Sequence, residues 1–272
     1  MKFLNFHHVL KVSVILLFGL VFPVSASSII EIKSLSDVVG HVQQGDPNGT
    51  VLCGLDIDFT LTRPVDPATD SANFQTHAKT FVQMIKDHQL NPQDVLCATA
   101  LTEQQTMERE TRSLVDVISS HATVVGLTAR YSGPFAGIDF EDHTLEMLAQ
   151  FEIKFNGAIG KRTVFEDLPE HRGNKPVINK GVIFCNGERG APVTKPQVLA
   201  EYLKSYAPHT TRVVIVDDTK KHLDDFVAFF ADTMSTVEFV GLHYTKAMSD
   251  APRECDEDDF KEYVQCLINM LQ

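Results

Sequence analysis

The chain lacks the marks of several common functional classes. It has no Cys-x-x-Cys pair and no Cys/His cluster, which removes the usual zinc arrangements. No Gly-x-Ser-x-Gly elbow is present, so Ser/His/Asp nucleophilic catalysis has no support. Positive charge is scarce: 24 Lys and Arg stand against 36 Asp and Glu, a formal charge of −12. An acidic chain has no sequence-independent attraction to polyphosphate, so nucleic acid is not an expected partner and a small ligand in a cleft is. No apolar run approaches the roughly 20 residues needed to span a bilayer. There is no internal repeat and no low-complexity tract.

What is present begins with a leader. Lys2 and Lys11 bracket a basic stretch, an apolar run follows from Val12 to Phe22, and Val24-Ser25-Ala26 offers small residues before a cut. Residues 1–26 read as a signal peptide, which predicts an exported protein, periplasmic or secreted, with no stable membrane span after cleavage. The remaining 27–272, in a chain with 43% apolar side chains, is enough for one globular domain. Five cysteines remain to be placed. Cys53, Cys97 and Cys185 lie in apolar runs and read as buried small hydrophobes. Cys255 and Cys266 cannot pair if one straight helix carries both, because about 1.5 Å of rise per residue separates them by roughly 16 Å.

Periodicity predicts alternating strands and helices. Ser34 to Gln44 reads as a short amphipathic helix, and Thr50 to Asp58 as a near-continuous apolar strand covered on both faces. Residues 62 to 71 read as a loop, Phe74 to Asp87 as a helix, and Val95 to Thr99 as a short strand. A charged helical stretch runs from Thr102 past Leu114 to Ile118, and Ala122 to Leu127 is a second strand. Asp139 starts a helix, and the segment from Ile153 to Arg189 suggests strands and loops. Lys195-Pro196 opens a helix, proline suiting the first turn. Arg212 to Val216 is a strand, Thr219 to Phe230 a helix, Val237 to Leu242 a strand, and Asp256 to Leu271 a terminal helix with an acidic first turn. This alternation predicts an α/β fold, a three-layer Rossmann-like sandwich on a central parallel sheet. Small insertions are expected, a helical cap within 62–121 and a second insertion within 152–190.

Open parallel sheets bind ligands at the carboxyl ends of their strands. There the first strand delivers Asp56-Ile57-Asp58-Phe59-Thr60, the second Thr128-Ala129-Arg130, and the third Asp217-Asp218, while one helix begins with Lys195. Carboxylates, a hydroxyl and an ammonium on one edge suit the chemistry of a phosphate ester. Such a dianion resists a carboxylate nucleophile unless a divalent cation and other donors neutralise its oxygens. Magnesium, an oxygen-seeking octahedral cation that keeps several waters, matches this ligand set.

These residues resemble the haloacid dehalogenase superfamily of aspartate-nucleophile phosphatases. That superfamily's ordered motifs are an apolar strand with DxDx[TV], a strand ending in Thr or Ser, a Lys, and a strand ending in paired acids. The likeness spans about residues 50 to 245 and looks nearest to secreted acid phosphatases and exported bacterial relatives. It implies hydrolysis of a small phosphorylated substrate. Asp56 would be nucleophile and metal ligand, and Asp58 acid/base and, through its carbonyl, metal ligand. Thr128 would hold a phosphoryl oxygen, Lys195 would neutralise the nucleophile, and Asp217 with Asp218 would complete the Mg²⁺ site. Phe59 and Pro196 depart from the superfamily's usual residues, and Lys180 is a rival for the lysine role. Arg130 is a possible phosphate contact, with an ordinary surface ion pair as its plain alternative, and the scattered histidines read as surface or satisfied side chains. A receiver-type signalling domain is disfavoured because its acid pair should precede the phosphorylated Asp. The competing class is an exported binding or effector protein that keeps the fold without turnover.

Overall fold

A computed structural model of the protein describes residues 28–44, 50–187 and 190–272. The leader at 1–26 lies outside the described residues. Among those described, no helix is long and apolar enough to cross a membrane.

The described residues open with β1 (Ser28–Ile32), α1 (Ser36–Gln43), β2 (Thr50–Leu55) and β3 (Thr62–Pro64). It continues with α2 (Ser71–Thr76), α3 (Ala78–Asp87), α4 (Pro92–Ala98), β4 (Gln104–Thr106), α5 (Thr111–Ser119) and β5 (Thr123–Thr128). Next come β6 (Pro134–Phe135), β7 (Ile138–Asp139), α6 (Phe140–Gln150), β8 (Thr163–Val164), β9 (Val177–Asn179) and β10 (Val182–Phe184). The last third holds α7 (Lys195–Tyr206), β11 (Thr210–Asp217), α8 (Lys220–Thr233), β12 (Glu238–Tyr244), α9 (Lys246–Ser249) and α10 (Glu257–Leu271).

Among the described residues, eight strands form one sheet in the order β1-β12-β11-β2-β5-β10-β9-β8. The six from β1 to β10 are parallel, and β9 and β8 extend the edge in antiparallel pairing. The sheet is a three-layer sandwich because its strands alternate apolar residues between two covered faces. Cys53, Leu55, Val214 and Val216 point into a core with Val38 and Val42 of α1, Val115 of α5 and Leu148 of α6. Leu52, Val213 and Ile215 point the other way, onto Val198, Leu199 and Tyr202 of α7 and Leu223, Phe226 and Phe230 of α8. This period-two alternation pins the register, since a one-residue slip would exchange the two faces.

β2 is the switch point of the winding. The chain leaves it toward β5 and β10 on one side, then crosses through α7 to β11 on the other, the arrangement that opens a crevice above the carboxyl ends of the strands.

A third core sits above that crevice. Phe81 and Ile85 of α3 and Val95 and Ala98 of α4 pack with Phe260, Tyr263, Val264 and Leu267 of α10. The terminal helix therefore belongs to the roof rather than to the sheet. Its Asp256 N-cap accepts from the amides of Asp258 and Asp259, closing a capping box.

Three local expectations are corrected. Val95 to Thr99 is not a strand: Asn91 accepts from Gln93 N at 2.9 Å and Pro92 takes the first turn, so capping turns an ambiguous apolar run into α4. Residues 62 to 71 are not only loop, because Thr62–Pro64 pairs with Gln104–Thr106 as a two-stranded ribbon. The same ribbon removes the front of the expected helix from Thr102, which begins only at Thr111. The edge strand β1 had no distinct sequence signal; it forms because Ser28–Ile32 finds the free edge of β12.

Candidate functional site

Asp56 follows directly on β2, where its amide donates to Val216 O at 2.9 Å and ties two strand ends together. The chain then curls sharply. Leu61 N and Thr62 N both donate to Ile57 O, at 3.0 and 2.9 Å, and Phe59 adopts φ +56°. A bulky residue in the left-handed region is uncommon and carries strain. The curl is what lets Asp58 approach the same crevice as Asp56 instead of continuing along an extended strand.

Lys195 starts α7, and its side chain is 3% exposed. Its Nζ donates to Asp56 Oδ1 and to Asp217 Oδ2, each at 2.7 Å. The helix begins there because Thr194 and Gln197 form a capping box and Pro196 suits the first turn. Lys180, the rival, occupies the β9–β10 turn at φ +47° beside Gly181 at +83°. Val182 of β10 pairs with Gly126 and Phe184 with Thr128, so that turn lies at the opposite end of the strands from Thr128. Lys195 alone of the two is at the site.

Asp217 is the most heavily engaged acid. Besides Lys195 it accepts from Thr219 N at 2.8 Å, and His222 Nδ1 lies 3.1 Å from both of its oxygens. Carboxylate oxygens of Asp56, Asp217 and Asp218 lie within 4.8 Å of one another. Burial alone would raise the Asp217 pKa, but the lysine and histidine contacts outweigh it and hold the group down near 2. Asp56 goes the other way, up to about 7: burial raises it, Lys195 opposes, and the Asp217 and Asp58 charges add to the rise. Burial and the neighbouring acids likewise push Asp218 well above the carboxylate range. Lys195 is raised despite burial, because the charges of Asp217 and Asp56 outweigh desolvation.

The pattern has one physical meaning. One buried ammonium faces three clustered carboxylates, so negative charge is in excess in a place where it costs most. A small dication with oxygen ligands fits both the donor set and that deficit.

The Asp58 side chain stands apart from the three acids. Its carboxylate accepts from Arg130 Nε and an Nη at 3.0 and 2.7 Å, a two-pronged clasp, and it is not in the three-acid cluster. Its side chain is thus committed to arginine, and its backbone carbonyl is what remains for a metal. Arg130 is itself corrected from a surface residue: it is 4% exposed, bonds Thr144 Oγ1 at 2.9 Å and lies over the Phe140 ring. Thr128 closes β5 fully buried, its Oγ1 accepting from Arg130 N at 3.1 Å, while Ala129 lines the crevice. The Thr60 hydroxyl is buried with no hydrogen-bond partner among the described residues. The sequence marks Arg130 as a possible phosphate contact, from its place two residues after a strand-end threonine, but not as the partner of Asp58. His222 escaped the sequence reading; its one signal is that, five residues beyond Asp217, it falls on the first turn of the following helix and faces back to the strand end.

The chain belongs to the family described as Protein of unknown function (DUF2608). That family's model matches residues 31–267, which includes every acid, lysine, arginine and histidine of the site. No curated protein and no solved structure matches the chain.

Proposed function

We propose that this member of the DUF2608 family is an exported, Mg²⁺-dependent phosphatase that hydrolyses phosphate monoesters through an aspartyl-phosphate, in the manner of the haloacid dehalogenase superfamily that its motifs resemble. The observation that carries the reading is Lys195 Nζ at 2.7 Å from both Asp56 and Asp217, with Asp218 in the same cluster, under a cavity at the switch point of the sheet.

Asp56, Asp217, Asp218 and the Asp58 carbonyl would hold Mg²⁺, which when bound supplies positive charge between the carboxylates and the phosphoryl oxygens. Asp56 attacks phosphorus in line, the ester P–O bond breaks, and Asp58 gives its proton to the departing alkoxide. Water then attacks the same phosphorus, Asp58 takes its proton, and the bond to Asp56 breaks to release inorganic phosphate. Lys195 holds the Asp56 oxygen and offsets charge on the transferring group, and the Thr128 hydroxyl keeps a proton for a phosphoryl oxygen. Arg130 sets the direction of Asp58, and His222 that of Asp217. Export rests on the leader at residues 1–26.

One observation favours the other reading, a binding or effector protein without turnover: Arg130 engages both Asp58 oxygens, so the acid/base must leave that clasp to reach a leaving group. Turnover of an aryl phosphate with Mg²⁺ and with chelator separates the two. Metal-dependent release of phosphate, abolished by Asp56→Asn, is expected. Full activity of Asp56→Asn removes the covalent route, and silence on a broad phosphate panel supports the binding reading.

A further inference from the structure

The cavity above the acids holds about 610 Å³, far more than a phosphoryl group fills and within the range of sites that enclose a small organic molecule. Its floor is Asp56, Asp58, Lys195 and Asp218; its walls come from the roof segments and from α9.

The wall charges have partners, but Arg63 keeps a buried Nε with no hydrogen bond among the described residues. Asp70 is clasped by Arg253 at 2.6 and 2.9 Å, and Arg63 pairs with Asp250 at 3.7 Å. What remains to meet a leaving group, apart from His222 held by Asp217, is an apolar set of Phe59, Phe74, Leu96 and Met248 beside the amides of Gln75 and Gln93 and hydroxyls such as those of Ser71 and Thr99. Phe74 is held by ring contacts to Phe81 at 4.8 Å and Phe260 at 5.8 Å, which anchor this wall in the third core. Leu96 and Met248 are 39% and 55% exposed, among the large apolar side chains that the fold leaves in water. They line one cavity from separate segments, α4 and α9, which distinguishes them from the scattered exposed apolar residues normal on any surface.

On the phosphatase reading of the floor, we propose that this cavity selects monophosphate esters of uncharged alcohols with an apolar or aromatic body over sugar phosphates. Phe74, Leu96 and Met248 are the specificity-determining residues. A sugar could pair some of its hydroxyls with Gln75 and Gln93, but those set against Phe74, Leu96 and Met248 would lose water without gaining a partner, which is penalised.

The test compares kcat/KM of the Mg²⁺-saturated full chain for 1-naphthyl phosphate and glucose 6-phosphate. Preference for the naphthyl ester is expected, and Leu96→Asp and Met248→Asp should each lower the naphthyl-to-glucose ratio roughly tenfold, the scale of apolar-pocket discrimination. A ratio is insensitive to uniform loss of folded protein. Preference for the sugar phosphate, or an unchanged ratio in both variants, overturns the inference while leaving the phosphatase reading intact. If neither ester turns over, that reading fails, and calorimetry decides the cavity separately. Tighter binding of 1-naphthylmethylphosphonate than of methylphosphonate upholds the apolar selection, and equal binding overturns it.

Discussion

The floor and the roof of the crevice are built by opposite means. Below, strand register and helix starts aim charged side chains at one point: Asp56, Asp217 and Lys195 meet at 2.7 Å although 139 and 22 residues separate the lysine from its partners. Above, the third core of Phe81, Val95, Phe260 and Leu267 holds the roof by apolar packing of α3 and α4 against α10. The floor is electrostatically uncomfortable and the roof is not. A protein keeps a buried excess of one charge where something else is meant to balance it, as functional sites do, while the roof needs only complementary shape.

The comparison predicts its largest effect at the lysine. Lys195→Met removes the one ammonium from three clustered acids and should cost about 3–5 kcal/mol in urea unfolding, as breaking a buried pair does. A loss under about 1 kcal/mol would mean that the floor is not strained. Next is Phe260→Ala, a fully buried ring in the third core, with an expected cost of about 3–4 kcal/mol. Amide exchange should show protection lost in α3, α4 and α10 with the sheet strands spared; uniform loss would show that floor and roof unfold as one unit.

Mg²⁺ should then stabilise the floor selectively. At about 100 times its dissociation constant a ligand of the folded state adds about 2.7 kcal/mol. Thermal unfolding of the wild type should shift up accordingly and return with chelator, while Asp217→Asn should show little response. An equal shift in that variant would place the ion elsewhere.

The smallest effect is a pH dependence in the roof. Burial would raise Asp70, but its hydrogen bonds and charge contact with Arg253 outweigh this and hold it below the usual carboxylate range. A depressed carboxylate contributes stability that is present above its unfolded pKa of about 3.9 and lost as pH falls through the lower folded value. Asp70→Asn should therefore cost roughly 0.5–1 kcal/mol at pH 7, the solvent-screened worth of such a pair. The difference from wild type should fade as pH drops below about 4. A cost that stays constant with pH would assign the effect to packing instead.

How much was legible follows the same division. Asp56, Thr128 and Asp217 could be found because each ends an apolar run whose period and length mark a buried strand, and Lys195 because Thr194, Pro196 and Gln197 mark a helix start. Those signals are local. The clasp of Arg130 on Asp58 spans 72 residues, and no spacing in the chain announces it. Nor does anything near Val95 say that the run is helical except Asn91-Pro92, a capping signal that apolar content alone hides.

The amino-acid sequence by itself determined the main alternation of sheet strands and flanking helices, the identity of the acids and the lysine at their ends, and the acidic character of the chain, because these depend on neighbours a few residues away. Tertiary structure alone decided that α10 roofs the crevice, that His222 faces Asp217, and that Phe74, Leu96 and Met248 share one cavity. Those outcomes depend on which distant surfaces bury each other, and burial is a property of the packed whole that no short stretch of chain encodes.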